Sequence, residues 1–151
     1  RGLDHQAPRE PEAVGMTTEA ALQMGIVRWL QDVLPDAAIV HHSPNEGIRK
    51  PHYGMKLKSL GLCAGWPDLE IFVPEADFIY PDQANAIFLE VKTPKGVLSA
   101  SQRACHSRLL ACGVHLTIVR GIDDCKAFLA GLVTLRQPTP HARAIEQQLR
   151  L

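Results

Sequence analysis

Four charged side chains on two short apolar runs are the residues of this sequence best suited to chemistry. In the run 87–92, strand alternation places Ile87, Leu89 and Val91 on one face and Phe88, Glu90 and Lys92 on the other. In the run 68–73, Asp68 and Glu70 share a face opposite Leu69, Ile71 and Val73. If the two strands pair as neighbours, three carboxylates and one ammonium converge. A hard cation such as Mg²⁺ takes oxygen ligands and keeps several waters, so one or two carboxylates and a backbone carbonyl suffice. Asp68, Glu90 and the carbonyl of Val91 fit that requirement, and Lys92 beside them supplies a point charge for an attacking water or a phosphate. An isolated Glu-x-Lys on a strand is more often a surface ion pair, so the rest of the chain has to decide.

The elements that would position these residues read as follows. From Thr17 or Thr18 as N-cap, Leu22, Ile26, Leu30 and Val33 recur at helical spacing until Pro35, which predicts a helix of about 16 residues. Residues 37–41 read as a short strand, and the Pro- and Gly-containing stretch 42–54 as a loop. A short basic helix is expected over 55–60, ended by Gly61. Strands over 69–73 and 87–91 flank an irregular excursion with Pro74 and Pro81. Ser99 and Gln102 match a capping box, which opens a helix that closes at Gly113, and 114–119 follows as a strand. Asp123 or Asp124 is expected to cap a further helix, and 142–149 forms the last one. The order predicts an α/β fold with a mixed central sheet flanked by helices.

The chain has 151 residues, 46% of them apolar, enough for one globular domain that buries roughly two-thirds of its unfolded surface. Residues 1–15, polar with two prolines, read as a flexible arm, which leaves 16–151 as a single domain. No apolar run approaches the roughly 20 residues needed to span a bilayer, and no leader pattern is read, so a soluble protein is expected. Cys63, Cys105, Cys112 and Cys125 lack CxxC spacing and read as reduced core thiols, which suggests an intracellular, cytoplasmic setting. Cys105 and His106 have no second ligand pair at zinc spacing and are assigned no metal.

Sixteen basic and sixteen acidic side chains give a net charge of zero, which excludes a polycation that coats nucleic acid by bulk charge. That zero is a cancellation of blocks: −4 over 1–47, +4 over 48–60, −6 over 61–90, +5 over 91–122 and +1 over 123–151. The acidic block holding Asp68 and Glu90 therefore lies between two basic ones. Arg49, Lys50, Lys56 and Lys58 before it, and Lys95, Arg103 and Arg108 after it, are candidate phosphate contacts, and Asn45 in its Pro-Asn loop could also touch DNA. No recognition helix or zinc finger is read, so DNA shape rather than base sequence is the expected cue.

Gly65-Trp66-Pro67-Asp68-Leu69, followed by Phe88-Leu89-Glu90-Val91-Lys92-Thr93, resembles the Pro-Asp...(Asp/Glu)-x-Lys motif of restriction-endonuclease-like nucleases. Glu19 in the opening helix, the loop His42-Ser43-Pro44-Asn45-Glu46-Gly47, the turn Leu57-Lys58-Ser59-Leu60-Gly61 and the stretch Gly96-Val97-Leu98-Ser99-Ala100-Ser101-Gln102 are similar to the VRR-NUC branch, over about 17–130. That resemblance implies a restriction-endonuclease-like core and a Mg²⁺- or Mn²⁺-dependent endodeoxyribonuclease of the stand-alone phage or bacterial type. It implies that Asp68 and Glu90 bind metal, that Lys92 assists the nucleophile, and that Glu19 and Gln102 complete the site, Glu19 as a further metal ligand. It also implies a homodimer acting on branched DNA such as Holliday junctions. For Glu19 a favourable charge at a helix N-terminus is the plainer alternative, and for Gln102 a bond back to Ser99. Glu70 lies outside the motif and reads as a spare ligand or a surface acid. An inactive DNA-binding module, or a nuclease of linear DNA or RNA, stays open.

Overall fold

A computed structural model describes residues 18–43, 51–83 and 86–150. The arm 1–15 and the candidate contacts Asn45, Arg49 and Lys50 lie outside the described residues. Along the chain run α1 (Glu19–Val33), β1 (Ile39–His42), α2 (Pro51–Ser59), β2 (Leu69–Phe72), β3 (Ile87–Val91), α3 (Ala100–Ala111), β4 (His115–Val119), α4 (Ile122–Leu129) and α5 (Pro140–Gln148). Two short 3₁₀ turns, Glu75–Asp77 and Pro81–Gln83, fill the excursion between β2 and β3. The chain is thus α/β, as the patterns predict.

The four strands form one sheet in the order β1-β2-β3-β4. β1 and β2 pair antiparallel, as do β2 and β3, whereas β3 and β4 run parallel. The parallel pair requires a crossover, and α3 supplies it. Leu69 and Ile71 of β2, and Ile87, Leu89 and Val91 of β3, point into one core with Leu22, Ile26, Trp29, Leu30 and Val33 of α1. Ile122, Cys125 and Leu129 of α4 and Ala142 and Ile145 of α5 close that core. Every residue of β3 is buried, so both of its faces are covered. The surface ion pair expected of an isolated Glu-x-Lys is therefore not what this strand carries.

Three local expectations need correction. α2 begins at Pro51, four residues before the expected start at Met55, because proline suits a first helical turn and Gly54 is tolerated inside. The N-cap of α4 is Gly121, with no side-chain bond, and Asp123 and Asp124 stand in its first turn. There the Asp124 carboxylate accepts the Arg120 backbone N–H at 2.8 Å instead of capping the helix. Of the four cysteines, all free, only Cys105 and Cys125 are buried; Cys112 is exposed and Cys63 half-buried.

α1 and α5 pack closely because Gly25 presents no side chain where they meet: a Cβ there would lie 2.3 Å from Leu149 Cδ1. The same interface buries one carboxylate. Glu146 accepts the Trp29 indole N–H at 2.9 Å and pairs with Lys126 Nζ at 3.0 Å. Burial alone would raise the Glu146 pKa, but the bonds from Trp29 and Lys126 outweigh it and hold it below the ordinary 4.5.

A carboxylate with a depressed folded pKa stabilises the fold above its unfolded pKa and loses that contribution as pH falls through the folded value. Glu146→Gln keeps an acceptor for Trp29 but loses the pairing with half-exposed Lys126, so it should cost about 1 kcal/mol at pH 7. The stability gap to the parent should shrink as pH drops below 4.5. Urea denaturation of both proteins from pH 7 to pH 3 checks this, and a gap that widens on acidification contradicts it.

Candidate active site

The register of β2 with β3, Leu69 against Leu89 and Glu70 against Phe88, continues to place Asp68 opposite Glu90. Asp68 is 4% exposed and Glu90 0%, so both carboxylates are inside the protein. Asp68 Oδ2 accepts the Val91 backbone N–H at 2.8 Å, which ties the carboxylate to the end of β3. Its backbone carbonyl lies 2.9 Å from His42 Nδ1 at the end of β1, and Gln23 Nε2 stands 2.9 Å from the same ring nitrogen. The ends of β1 and β3 thus hold Asp68 from either side.

A buried carboxylate has to be compensated by opposite charge and hydrogen bonds. For Glu90 that compensation comes from Lys92 and α3. Lys92, just past β3 and only 5% exposed, places Nζ 2.8 Å from Glu90 Oε1 and 3.1 Å from Glu19 Oε1. Burial by itself would depress the Lys92 pKa, but Glu90 and Glu19 overcome it and hold the ammonium above its ordinary value. Glu19 belongs to the first turn of α1, which Thr18 caps through the Ala21 N–H. Besides sitting where a helix favours an acid, it is a partner of the lysine.

Gln102 satisfies both alternatives at once. Its Oε1 accepts the Ser99 N–H at 2.8 Å while Ser99 Oγ accepts the Gln102 N–H, which completes the capping box. Its Nε2 donates to Glu90 Oε1 at 2.5 Å. The two ends of one amide therefore serve the helix start and the carboxylate. Gly65 makes this approach possible: at φ +79° any Cβ would lie 2.4 Å from the backbone of Ser101 and Gln102.

Two neighbours were given no role in this site by sequence. His106 Nε2 comes within 3.2 Å of Glu90 Oε2. Burial, aided by Lys92 and opposed by Asp68, holds the imidazole pKa below 6.5, so the ring is neutral at pH 7. The signal was available: His106 follows Gln102 by four residues, hence shares its helix face. Arg120 donates from Nη1 to the carbonyls of Thr93 at 2.6 Å and Gly96 at 2.9 Å, pinning the loop that follows Lys92.

Other candidates fall elsewhere. Glu70 is no ligand of this cluster, because Oε1 accepts both the Trp66 indole N–H and the Ser43 hydroxyl at 2.6 Å. Lys56 and Lys58 are exposed on the last turn of α2, and Lys95 and Arg108 are also exposed. Arg103 donates to the Leu98 carbonyl at 2.6 Å, so part of its guanidinium serves the α3 start. Among the described residues no three His, Cys, Asp or Glu side chains gather tightly enough to hold a metal ion unaided. Two buried carboxylates still fit a hard cation that keeps waters and takes substrate oxygens.

The VRR-NUC domain family model matches residues 10–123. A solved structure described as a VRR_NUC domain protein superposes with a TM-score of 0.56 at 21% identity, covering 78% of this chain and 88% of that one. At that identity the likeness concerns the fold. No curated protein matches the sequence significantly.

The Lys92–Glu90 pair gives a stability test. Removing one partner of a buried pair strands the other, so Lys92→Ala should cost about 3 kcal/mol in urea denaturation at pH 7. Removing both charges relieves that penalty. Lys92→Met combined with Glu90→Leu should therefore be less destabilised than the two single changes added together, and strict additivity would rule out direct coupling.

Proposed function

Since the chain belongs to the VRR-NUC domain family and thus has a nuclease-type fold, we propose that it is a metal-dependent, structure-specific DNA endonuclease. The observation that carries this reading is the buried pair of Asp68, just before β2, and Glu90 on β3, with the Lys92 ammonium 2.8 Å from Glu90. Such an arrangement exceeds what structural stability needs, because a well-packed apolar set is often as stable as a buried ion pair.

In this reading Asp68, Glu90 and the Val91 carbonyl would hold Mg²⁺ or Mn²⁺, and Glu19, whose Oε1 lies 3.1 Å from Lys92 Nζ, would be a further donor. When bound, the cation would supply Lewis acidity toward charge developing on the phosphate. Two N–H groups of Lys92 are held by Glu90 and Glu19, which leaves the third for an attacking water or a phosphate oxygen. Gln102 keeps Glu90 in place, and Asp68 is oriented by the Val91 N–H. Water adds to phosphorus as the bond to the 3′ oxygen breaks, giving a 5′-phosphate end.

Lys56, Lys58 and Lys95, exposed on either side of the acidic strands in sequence, are the phosphate contacts. Arg49, Lys50 and Asn45 stay candidates on sequence grounds alone. Branched DNA and a homodimer, with two sites cutting two strands, rest on similarity to stand-alone family members. Among the described residues no helix is long and apolar enough to cross a membrane.

Incubation with four-way-junction, flap, linear duplex and single-stranded DNA, with Mg²⁺, Mn²⁺ or EDTA, tests the proposal. Cleavage of the junction with either metal and none with EDTA is expected. A protein that binds DNA but cuts nothing is an inactive module, and equal cutting of linear duplex and junction removes the structural preference.

Metal binding has its own readout. Mg²⁺ or Mn²⁺ should raise the melting temperature as its concentration passes the dissociation constant, by about 2.7 kcal/mol of added stability at one hundred times that constant. Asp68→Asn, which retains an acceptor for the Val91 N–H, should lose both this shift and cleavage. If its shift equals the parent's, Asp68 is not a ligand.

A further inference from the structure

Two thiols lie beside the site and have no part in its chemistry. Cys63 sits in the loop between α2 and β2, five residues before Asp68, and Cys105 lies in α3 between Gln102 and His106. Their Sγ atoms are 3.6 Å apart. Cys63 is half-buried and lines a cavity of about 220 Å³ with Ser43, Gly61, Leu62, Trp66 and Glu70, so a small reagent can reach it. Cys105 is 4% exposed. The two segments already touch, since the Gly65 position meets the backbone of Ser101 and Gln102. A disulfide has its sulfurs about 2.05 Å apart, so closure needs a movement of about 1.5 Å, within reach of side-chain rotation.

We propose that Cys63 and Cys105 form a reversible dithiol–disulfide couple, a redox modification site that ties the Pro67-Asp68 loop to α3. The co-reactant is a hydroperoxide such as hydrogen peroxide. Cys63 sulfur attacks a peroxide oxygen and the O–O bond breaks, so the sulfur is oxidised to a sulfenic acid and the peroxide reduced to water. Cys105 sulfur then attacks Cys63 sulfur: the S–S bond forms, the S–O bond breaks, and hydroxide leaves with the Cys105 proton as a second water. Accessibility sets these roles. Burial and the adjoining Cys63 push the Cys105 thiol up to about 11, which makes it a poor first nucleophile toward peroxide and leaves it as the resolving partner. A dithiol reductant reverses the bond. Turning Cys105 toward the loop disturbs the helix turn from which Gln102 and His106 reach Glu90. On the nuclease reading, on which this last step rests, the disulfide slows cleavage.

The test treats the full chain with hydrogen peroxide, quenches with N-ethylmaleimide and maps peptides without reduction. Expected are a peptide pair joined through residues 63 and 105, two hydrogens lighter than its components, a fall from four free thiols to two, and full reversal by dithiothreitol. Cys112→Ser should still form the link and Cys63→Ser should not, with Cys63→Ala in its place if the serine variant fails to fold. Four thiols surviving peroxide, or a loss accounted for wholly by Cys112-linked dimers, overturns the couple. In parallel, oxidised protein should cut DNA several-fold more slowly, with recovery on reduction and no change in Cys63→Ser. A link that forms without altering the rate overturns the regulatory role. Reduced protein that cuts nothing counts against the nuclease reading and leaves the thiol result standing.

Discussion

The arrangement depends on one constraint: the Glu90 carboxylate is 0% exposed, and a charge removed from water must be met by protein groups. Each group that meets it comes from a different segment. Lys92 arrives from the end of its own strand, Gln102 from the crossover helix, and Glu19, through Lys92, from the first helix. The β3-α3-β4 unit and the placement of α1 are thereby both held to the same few atoms. The apolar core on the opposite face of the sheet makes this possible, because Ile87, Leu89 and Val91 anchor β3 while Glu90 faces the other way.

Much of this was legible from residue order. Alternation at 87–92 separated the core side chains from Glu90, and the Ser99 to Gln102 spacing located α3 to the residue. Such features are local, set by pleat and helix geometry over a few residues. Arg120 was not legible, since its value arises from contacts with the 93–96 loop made only when distant segments meet, whereas the four-residue spacing of His106 from Gln102 did put it on the same helix face. Glu70 was ambiguous for the same reason: its face pointed toward the cluster, yet Trp66 and Ser43 claim its oxygen. Pro51 misled because a proline signals a break in a run, while at a first helical turn it is accommodated. The thiol contact between Cys63 and Cys105 spans 42 positions, and no spacing rule reaches that far.

The charge blocks take on a spatial meaning as well. The acidic block does not form one negative surface: Asp68 and Glu90 are inside, Glu70 is engaged by Trp66 and Ser43, and the remaining acids lie along the excursion after β2. Lys56, Lys58 and Lys95 are meanwhile exposed. Formal net charge therefore understates the positive share of the accessible surface, as burial takes Asp68 and Glu90 out of solvent and only Lys92 with them.

The two-ended amide of Gln102 links the first turn of α3 to the state of the carboxylate. Its oxygen holds the Ser99 N–H and its nitrogen holds Glu90, so neither bond can be lost by rotating the amide without straining the other. A ligand that draws Glu90 away from the amide nitrogen changes the free energy of the helix start, and fraying of that start changes the affinity for the ligand by an equal factor. Helix initiation and ligand occupancy are, in that sense, one equilibrium seen from two ends.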